Sequence, residues 1–219
     1  MIGTFTHNRL YLYHDTVVIS DLHLPDGEPS SSRWEAVLEK AETYSTLIIN
    51  GDFLTGFPPS ETALLMLEDV SSKYDTVRYH FGNHEDMTVP ANKNLSLKDI
   101  VGSKADEYDL QNIDVGQFST IDDSVLVTHG HRFMVDISLE GIDQIVLGHI
   151  HPSHPAKTPV ALSVPFRFDE NIPVIVCPAF GEGISNFSYK DQNRMNDFIE
   201  DIPKSTVLKS FTDESTEET

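Results

Sequence analysis

Five times along this chain a short apolar run ends abruptly in a small group of histidine, aspartate or asparagine side chains. That repetition limits the fold more than any composition figure does. Thr16-Val17-Val18-Ile19-Ser20 runs into Asp21-Leu22-His23, Thr46-Leu47-Ile48-Ile49 into Asn50-Gly51-Asp52, and residues 76–81 into Gly82-Asn83-His84-Glu85. Ser124-Val125-Leu126-Val127 delivers Thr128-His129-Gly130-His131-Arg132, and Gln144-Ile145-Val146-Leu147 delivers Gly148-His149-Ile150-His151-Pro152. Runs of this length and β-branched content read as buried strands. Polar groups at the carboxyl ends of neighbouring strands in an α/β sheet meet in one crevice, where ligands bind. The pattern predicts an α/β chain with its chemistry gathered at one end of a sheet.

The spacing within the groups is informative too. Asp21 and His23 stand two apart, as do His149 and His151. In an extended segment such neighbours point the same way at roughly 6–7 Å, which suits two metal ions better than one. Gly51 permits a tight turn or a close backbone approach and leaves Asp52 at the end of its strand.

Helix signals lie between the runs. Ser30-Ser31-Ser32 offers an N-cap for a helix over about 33–44, with Trp34, Val37, Leu38 and Ala41 as its inner, core-facing side. Ser60 caps a second helix over 61–73, with Leu64, Leu65, Leu67 and Val70 apolar. Hairpins are predicted across His14-Asp15 and across Asp122-Asp123. Residues 95–101 read as a short helix, 106–114 as acidic and exposed, and 172–176 and 206–209 as further strands. Residues 1–210 are expected to form one domain, and the acidic stretch 211–219 a disordered tail.

Composition narrows the function classes. No window approaches 18 uninterrupted apolar residues, and the N-terminus lacks a basic region followed by an apolar stretch. No membrane partner and a cytoplasmic location are therefore expected. The single cysteine, Cys177, excludes an intramolecular disulfide and reads as a buried small hydrophobe. Aspartate and glutamate number 35 against 15 lysine and arginine, a formal net charge of −20. Such an excess repels polyanions and lacks the basic footprint of a nucleic-acid backbone binder. It also points to a halophilic protein of a high-salt cytosol, where the Debye length falls to about 3 Å at 1 M.

Taken in order, Asp21-x-His23, Gly51-Asp52, Gly82-Asn83-His84-Glu85, His129 and Gly148-His149-x-His151 resemble the five signature blocks of the calcineurin-like metallophosphoesterase superfamily, over about residues 16–152. The opening Asp21-Leu22-His23-Leu24, the closing Gly148-His149-Ile150-His151-Pro152 and the later Pro178-Ala179-Phe180 look most like small archaeal and bacterial phosphoesterases related to the SbcD-type repair nucleases. The protein Ser/Thr phosphatases carry Asp-Arg shortly after their Gly-Asp block, whereas Phe53-Leu54 follows here. The resemblance implies a four-layer αββα sandwich of two mixed β-sheets. It implies two divalent metal ions, one held by Asp21, His23 and His151, the other by Asn83, His129 and His149, with Asp52 bridging. Manganese is the first choice, with iron, zinc or nickel also compatible with such donors.

The implied activity is hydrolysis of a phosphodiester, a nucleic-acid end or a nucleotide, by a metal-bridging hydroxide, with His84 assisting the leaving group. DNA is thereby a candidate partner, against the sign of the charge. Glu85 or Asp86 is a candidate to orient His84, His131 an alternative to His129 as ligand or a contact to phosphate, and Arg132 a phosphate contact. His7, His14, His80 and His154 have no motif support and read as structural or exposed. Two other readings stay open: a small-molecule phosphomonoesterase, and a catalytically weak binding scaffold on the same fold.

Overall fold

The apolar runs are buried on both faces, and two sheets packed against each other account for it. The computed structural model describes residues 3–56, 58–86, 96–97, 101, 107–131, 138–153, 161–166, 168–169, 171–183 and 187–188. The first sheet holds six strands in chain order: β1 (Thr4–Phe5), β2 (Tyr11–Tyr13), β3 (Thr16–Ile19), β4 (Thr46–Asn50), β5 (Thr76–His80) and β6 (Ile113–Gly116). The first three pair antiparallel and the last four parallel. Parallel neighbours need a crossover. The helices α1 (Ser31–Lys40) and α2 (Glu61–Lys73) supply it, and a single turn, α3 (Asn83–Asp86), follows β5.

The second sheet is built from β7 (Phe118–Ile121), β8 (Val125–Thr128), β9 (Gln144–Leu147), β11 (Leu162–Pro165) and β12 (Pro173–Val176), in the order β11-β12-β9-β8-β7. Its outer pairs are antiparallel and its inner pairs parallel, so both sheets are mixed, as expected. Two short strands, β10 (Pro152–Ser153) and β13 (Phe187–Ser188), form a separate parallel pair.

Alternation along the strands sorts the core into three clusters. Val17, Ile19, Leu47, Ile49, Val77 and Tyr79 pack with Trp34, Val37, Leu64, Leu67 and Val70 of the helices. Their neighbours Val18 and Ile48 face the other sheet and meet Val127, Val146, Ile175 and Cys177. Leu126, Ile145, Leu147, Val174 and Val176 point to the far side, where Ile142, Ile150, Phe166 and Ile172 cover them. Cys177 is buried, as its sequence context suggests.

Both hairpins form, pairing Tyr13 with Thr16 and Ile121 with Val125. Two expectations need correction, the end of the first helix and the exposure of 106–114. The first helix ends at Lys40, four residues early, and continues as turns in which Thr43 and Tyr44 donate to the Lys40 carbonyl. On α2, Leu65 is 47 % exposed, while Ala63 and Met66 join Leu64, Leu67 and Val70 inside. The buried stripe follows the 3.6-residue period and leaves Leu65 opposite it. Within 106–114, Leu110 and Ile113 are buried, and Ile113 starts β6 beside Val77. Two apolar residues thus outweigh their acidic neighbours. Arg132, His154, the strand expected at 206–209, the tail and most of 95–101 lie outside the described residues. No helix among the described residues is long and apolar enough to cross a membrane.

Candidate metal centre

The strands β3, β4 and β5 end in Asp21-Leu22-His23, Gly51-Asp52 and Asn83, and β8 and β9 end in His129 and Gly148-His149-Ile150-His151. All seven side chains expected as metal ligands come together there, four from the first three blocks and three from the last two. Their backbone is not the extended chain assumed from the x-spaced pairs. Asp21, His23, Asp52, His149 and His151 all have left-handed φ, at 59°, 57°, 49°, 63° and 46°. Non-glycine residues in that region cost about 1–3 kcal/mol each and persist only where the surroundings over-determine them. The paired side chains share a site because the chain curls tightly beneath them, as where the Ile150 N–H donates to the Gly148 carbonyl at 2.7 Å.

The ligand atoms fall into two overlapping groups. One atom each from Asp21, His23, Asp52 and His151 lie within 4.8 Å of one another, and so do atoms of Asp52, His129 and His149. Asp52 belongs to both. In the first group, His151 Nε2 is 2.8 Å from Asp21 Oδ1 and 3.2 Å from His23 Nε2, and His23 Nε2 is 3.7 Å from Asp52 Oδ2. In the second, His129 Nε2 is 3.3 Å from Asp52 Oδ2 and 3.4 Å from the amide oxygen of Asn83. His131 stands beside this group, its ring 5.4 Å from that of His129 and 6.3 Å from that of His149.

The partly exposed His84 sits at the edge. Its N–H donates to Asp52 Oδ1 at 3.0 Å and its ring meets the His23 ring edge-on at 4.8 Å. Glu85 reaches the Asp52 turn. Its carboxylate accepts from the N–H groups of Asp52, Leu54 and Gly82 and from the Tyr79 hydroxyl, at 2.8–3.1 Å. Burial and the nearby Asp52 raise its pKa, and those donors pull it back.

Charge and burial make this a site for cations. Burial pushes His23 and His149 down to about 4, against the upward pull of Asp21 and Asp52, so both are neutral imidazoles at neutral pH. Burial alone would raise Asp21 and Asp52. His151 and His129 facing Asp21, and His129 facing Asp52, outweigh that and hold both carboxyls below their ordinary value. Burial lowers His129, but the same two carboxylates carry it up to about 9. Two buried carboxylates therefore demand positive charge, and carboxylate, imidazole and amide donors this close suit divalent ions of the manganese, iron or zinc type. The residues fit such ions.

Several supporting groups had no motif to announce them. Asn50 accepts at its carbonyl from Ser20 Oγ at 2.8 Å and from His129 Nδ1 at 2.9 Å, which turns His129 Nε2 toward Asp52. Its side chain donates to the Thr128 carbonyl across the sheets at 2.9 Å and meets His80 Nδ1 at 3.0 Å, and His80 Nε2 in turn bonds Ser119 Oγ. His80, pushed down to about 3 by burial, is a neutral structural histidine. Glycine marks the close approaches: a Cβ at Gly82 would lie 1.9 Å from Asp52 Oδ1, and one at Gly148 2.0 Å from Ser20 Oγ. Gly82 and Gly148 belong to the sequence blocks themselves, and the one signal for Asn50 was its position beside Gly51-Asp52.

A family model described as calcineurin-like phosphoesterase matches residues 14–177. No curated protein sequence matches the chain. Among solved structures, the nuclease MPE of Pseudomonas putida is similar at 18 % identity and a TM-score of 0.51, covering 83 % of this chain and 82 % of that one. Likeness at that identity speaks to the fold alone.

Proposed function

We propose, for a chain that belongs to the calcineurin-like phosphoesterase family and is thereby a hydrolase of phosphoric esters, that the substrate is a phosphodiester and that two divalent ions serve the reaction. The observation that carries this reading is the sharing of Asp52 between two ligand groups with His84 at their edge. Asp21, His23 and His151 would hold one ion, Asn83, His129 and His149 the other, and Asp52 both, with manganese the first choice. Bound there, such ions polarise phosphoryl oxygens and acidify water near neutral pH. The protein's part is to fix the donors. The Asn50 carbonyl sets the His129 tautomer and Glu85 holds the Asp52 turn, while His84, at the edge of the two groups, would give a proton to the departing oxygen.

That the structurally similar P. putida protein is a nuclease supports a diester, and the net charge of −20 favours a nucleotide or a short diester over a long duplex. The test compares bis-p-nitrophenyl phosphate, its monoester, cyclic nucleotides, and single-stranded and duplex DNA, with added Mn²⁺ and at several salt concentrations. Diester hydrolysis that is lost in chelator and in Asp52→Asn is the expected result. Turnover of the monoester alone would overturn the diester assignment, and no turnover with any divalent ion would favour the scaffold reading. Asp52→Asn removes several kcal/mol of charge stabilisation, so a loss of at least about 10²-fold in kcat is expected.

A further inference from the structure

We infer that Arg9 and Arg33 are positioning residues for the Asp21, His23, Asp52 and His151 half of the centre, acting through the backbone of residues 179–182. The inference rests on the reading of that group as a metal site.

Asp21 and His23 adopt left-handed backbone in one short loop, and such a loop needs support on every side. It is gripped from two. On one, the N–H groups of Asp21, His23 and Leu24 donate to the carbonyls of Gly51, Asp52 and Phe53 at 3.1, 2.8 and 2.8 Å. On the other, the carbonyls of Ser20, Asp21 and Gly27 accept from the N–H groups of Phe180, Gly181 and Glu182 at 2.8, 3.2 and 3.1 Å. The first support belongs to a motif. The second comes from a segment beyond residue 177, where the family match ends.

That segment has carbonyls of its own to satisfy, and buried carbonyls require donors. Arg9 Nη1 donates to the carbonyls of Ala179 and Gly181 at 2.6 and 3.1 Å, and Arg33 Nη1 to that of Phe180 at 2.9 Å. Two guanidinium groups thus cap three successive carbonyls whose amide partners hold the ligand loop. Arg33 also lies 3.3 Å from Glu182 Oε1, which is 3.3 Å from the Ser30 N–H at the start of α1. Burial and the nearby Arg33 lower Arg9 to about 10, with Glu182 opposing, so the pair is held together against its own repulsion. The side chains of Ala179 and Phe180 are fully buried, which anchors the segment in the core.

The other half of the centre depends on this device less. His129 is anchored by the Asn50 carbonyl of β4, and His149 meets the loop through its N–H to the Asp21 carboxylate at 3.1 Å. Loosening residues 179–182 should therefore weaken one ion more than the other.

Calorimetric titration with Mn²⁺ alone, on the full chain and its Arg9→Met, Arg33→Met and Arg9→Lys variants, separates the possibilities, with circular dichroism reporting the fold. Two sites are expected in the unaltered chain. In the methionine variants one should weaken about tenfold or more while the other stays within about threefold, and lysine should restore part of the loss. Equal weakening of both sites, or of neither, overturns the inference. Should the methionine variants not fold, Arg9→Lys, which keeps the charge but gives up the guanidinium that spans the Ala179 and Gly181 carbonyls, stands in for them; a smaller selective loss supports the inference, and unchanged or equally weakened sites overturn it. An unaltered chain that takes up no Mn²⁺ would instead overturn the metal reading beneath it.

Discussion

At the scale of single residues, the last two members of the Gly82-Asn83-His84-Glu85 block do separate jobs, and their variants should differ in kind. His84 touches the ligand groups through its N–H and the His23 ring, and no ligand oxygen depends on its imidazole. His84→Ala should keep both ions by metal analysis while kcat falls by about 10²–10⁴, the usual worth of a positioned proton donor. A variant with full turnover would contradict that role. Glu85 works through backbone. It holds the N–H groups on both sides of Phe53 and that of Gly82, so Asp52 is aimed by a carboxylate that touches no metal ligand side chain in those bonds. Glutamine has one acceptor oxygen where four donors converge. Glu85→Gln should weaken both ions by about 10–100-fold, because Asp52 serves both groups. That outcome contrasts with the one-sided loss expected for Arg9→Met, and the two can be read in the same titration.

At the scale of elements, what was legible follows from which signals are local. The strands β3, β4, β5, β8 and β9 were visible because each is an apolar run stopped by a polar block, and α2 because Ser60 accepts from the Ala63 N–H just where a cap should. β6 was hidden because the buried Leu110 and Ile113 sit among acidic residues, and their partners, the edge of β5 and the helix-side core, are distant in sequence. The left-handed turns at Asp21, His23, Asp52, His149 and His151 were hidden for a deeper reason, since Asp and His tolerate that backbone better than most residues but do not require it. It is imposed by contacts from other strands and by glycines that let those contacts close. Gly82 is the sharpest case, with a Cβ there 2.3 Å from the Asp52 nitrogen as well as 1.9 Å from its carboxylate. Gly82→Ala should destabilise the fold by about 1–3 kcal/mol, the cost of overpacking. For a chain of this length that is a fall in Tm of roughly 2–4 °C per kcal/mol, with metal uptake reduced alongside. Gly56→Ala, which meets nothing within 4 Å, is the control and should shift stability by no more than about 0.5 kcal/mol. A Gly82→Ala chain as stable as the control would mean the Asp52 turn yields more easily than its contacts suggest.

At the scale of the whole molecule, the charge remains the feature least accounted for by the active-site chemistry. The metal centre itself uses two aspartates, Asp21 and Asp52, leaving a large excess of carboxylates along a chain with a sequence pI near 4.6. In water at physiological ionic strength, where the Debye length is about 8 Å, neighbouring surface carboxylates repel and oppose compaction. At molar KCl the range of that repulsion shrinks to about 3 Å, shorter than most spacings between surface charges. Folding should therefore strengthen with KCl, steeply at first and then levelling once screening is complete. Each kcal/mol of repulsion relieved should raise Tm by roughly 2–4 °C for a chain of this size, so a rise of about 5 °C or more between 0.1 and 2 M is expected. Potassium chloride is the right salt for the measurement, because sulfate would strengthen apolar burial in any protein and mimic the effect. The same screening bears on substrate: a polyanion repelled at low salt gains access at high salt, so hydrolysis of single-stranded DNA should rise with KCl relative to that of a neutral-bodied diester such as bis-p-nitrophenyl phosphate. A Tm that does not move between 0.1 and 2 M KCl would refute the proposed adaptation to high salt.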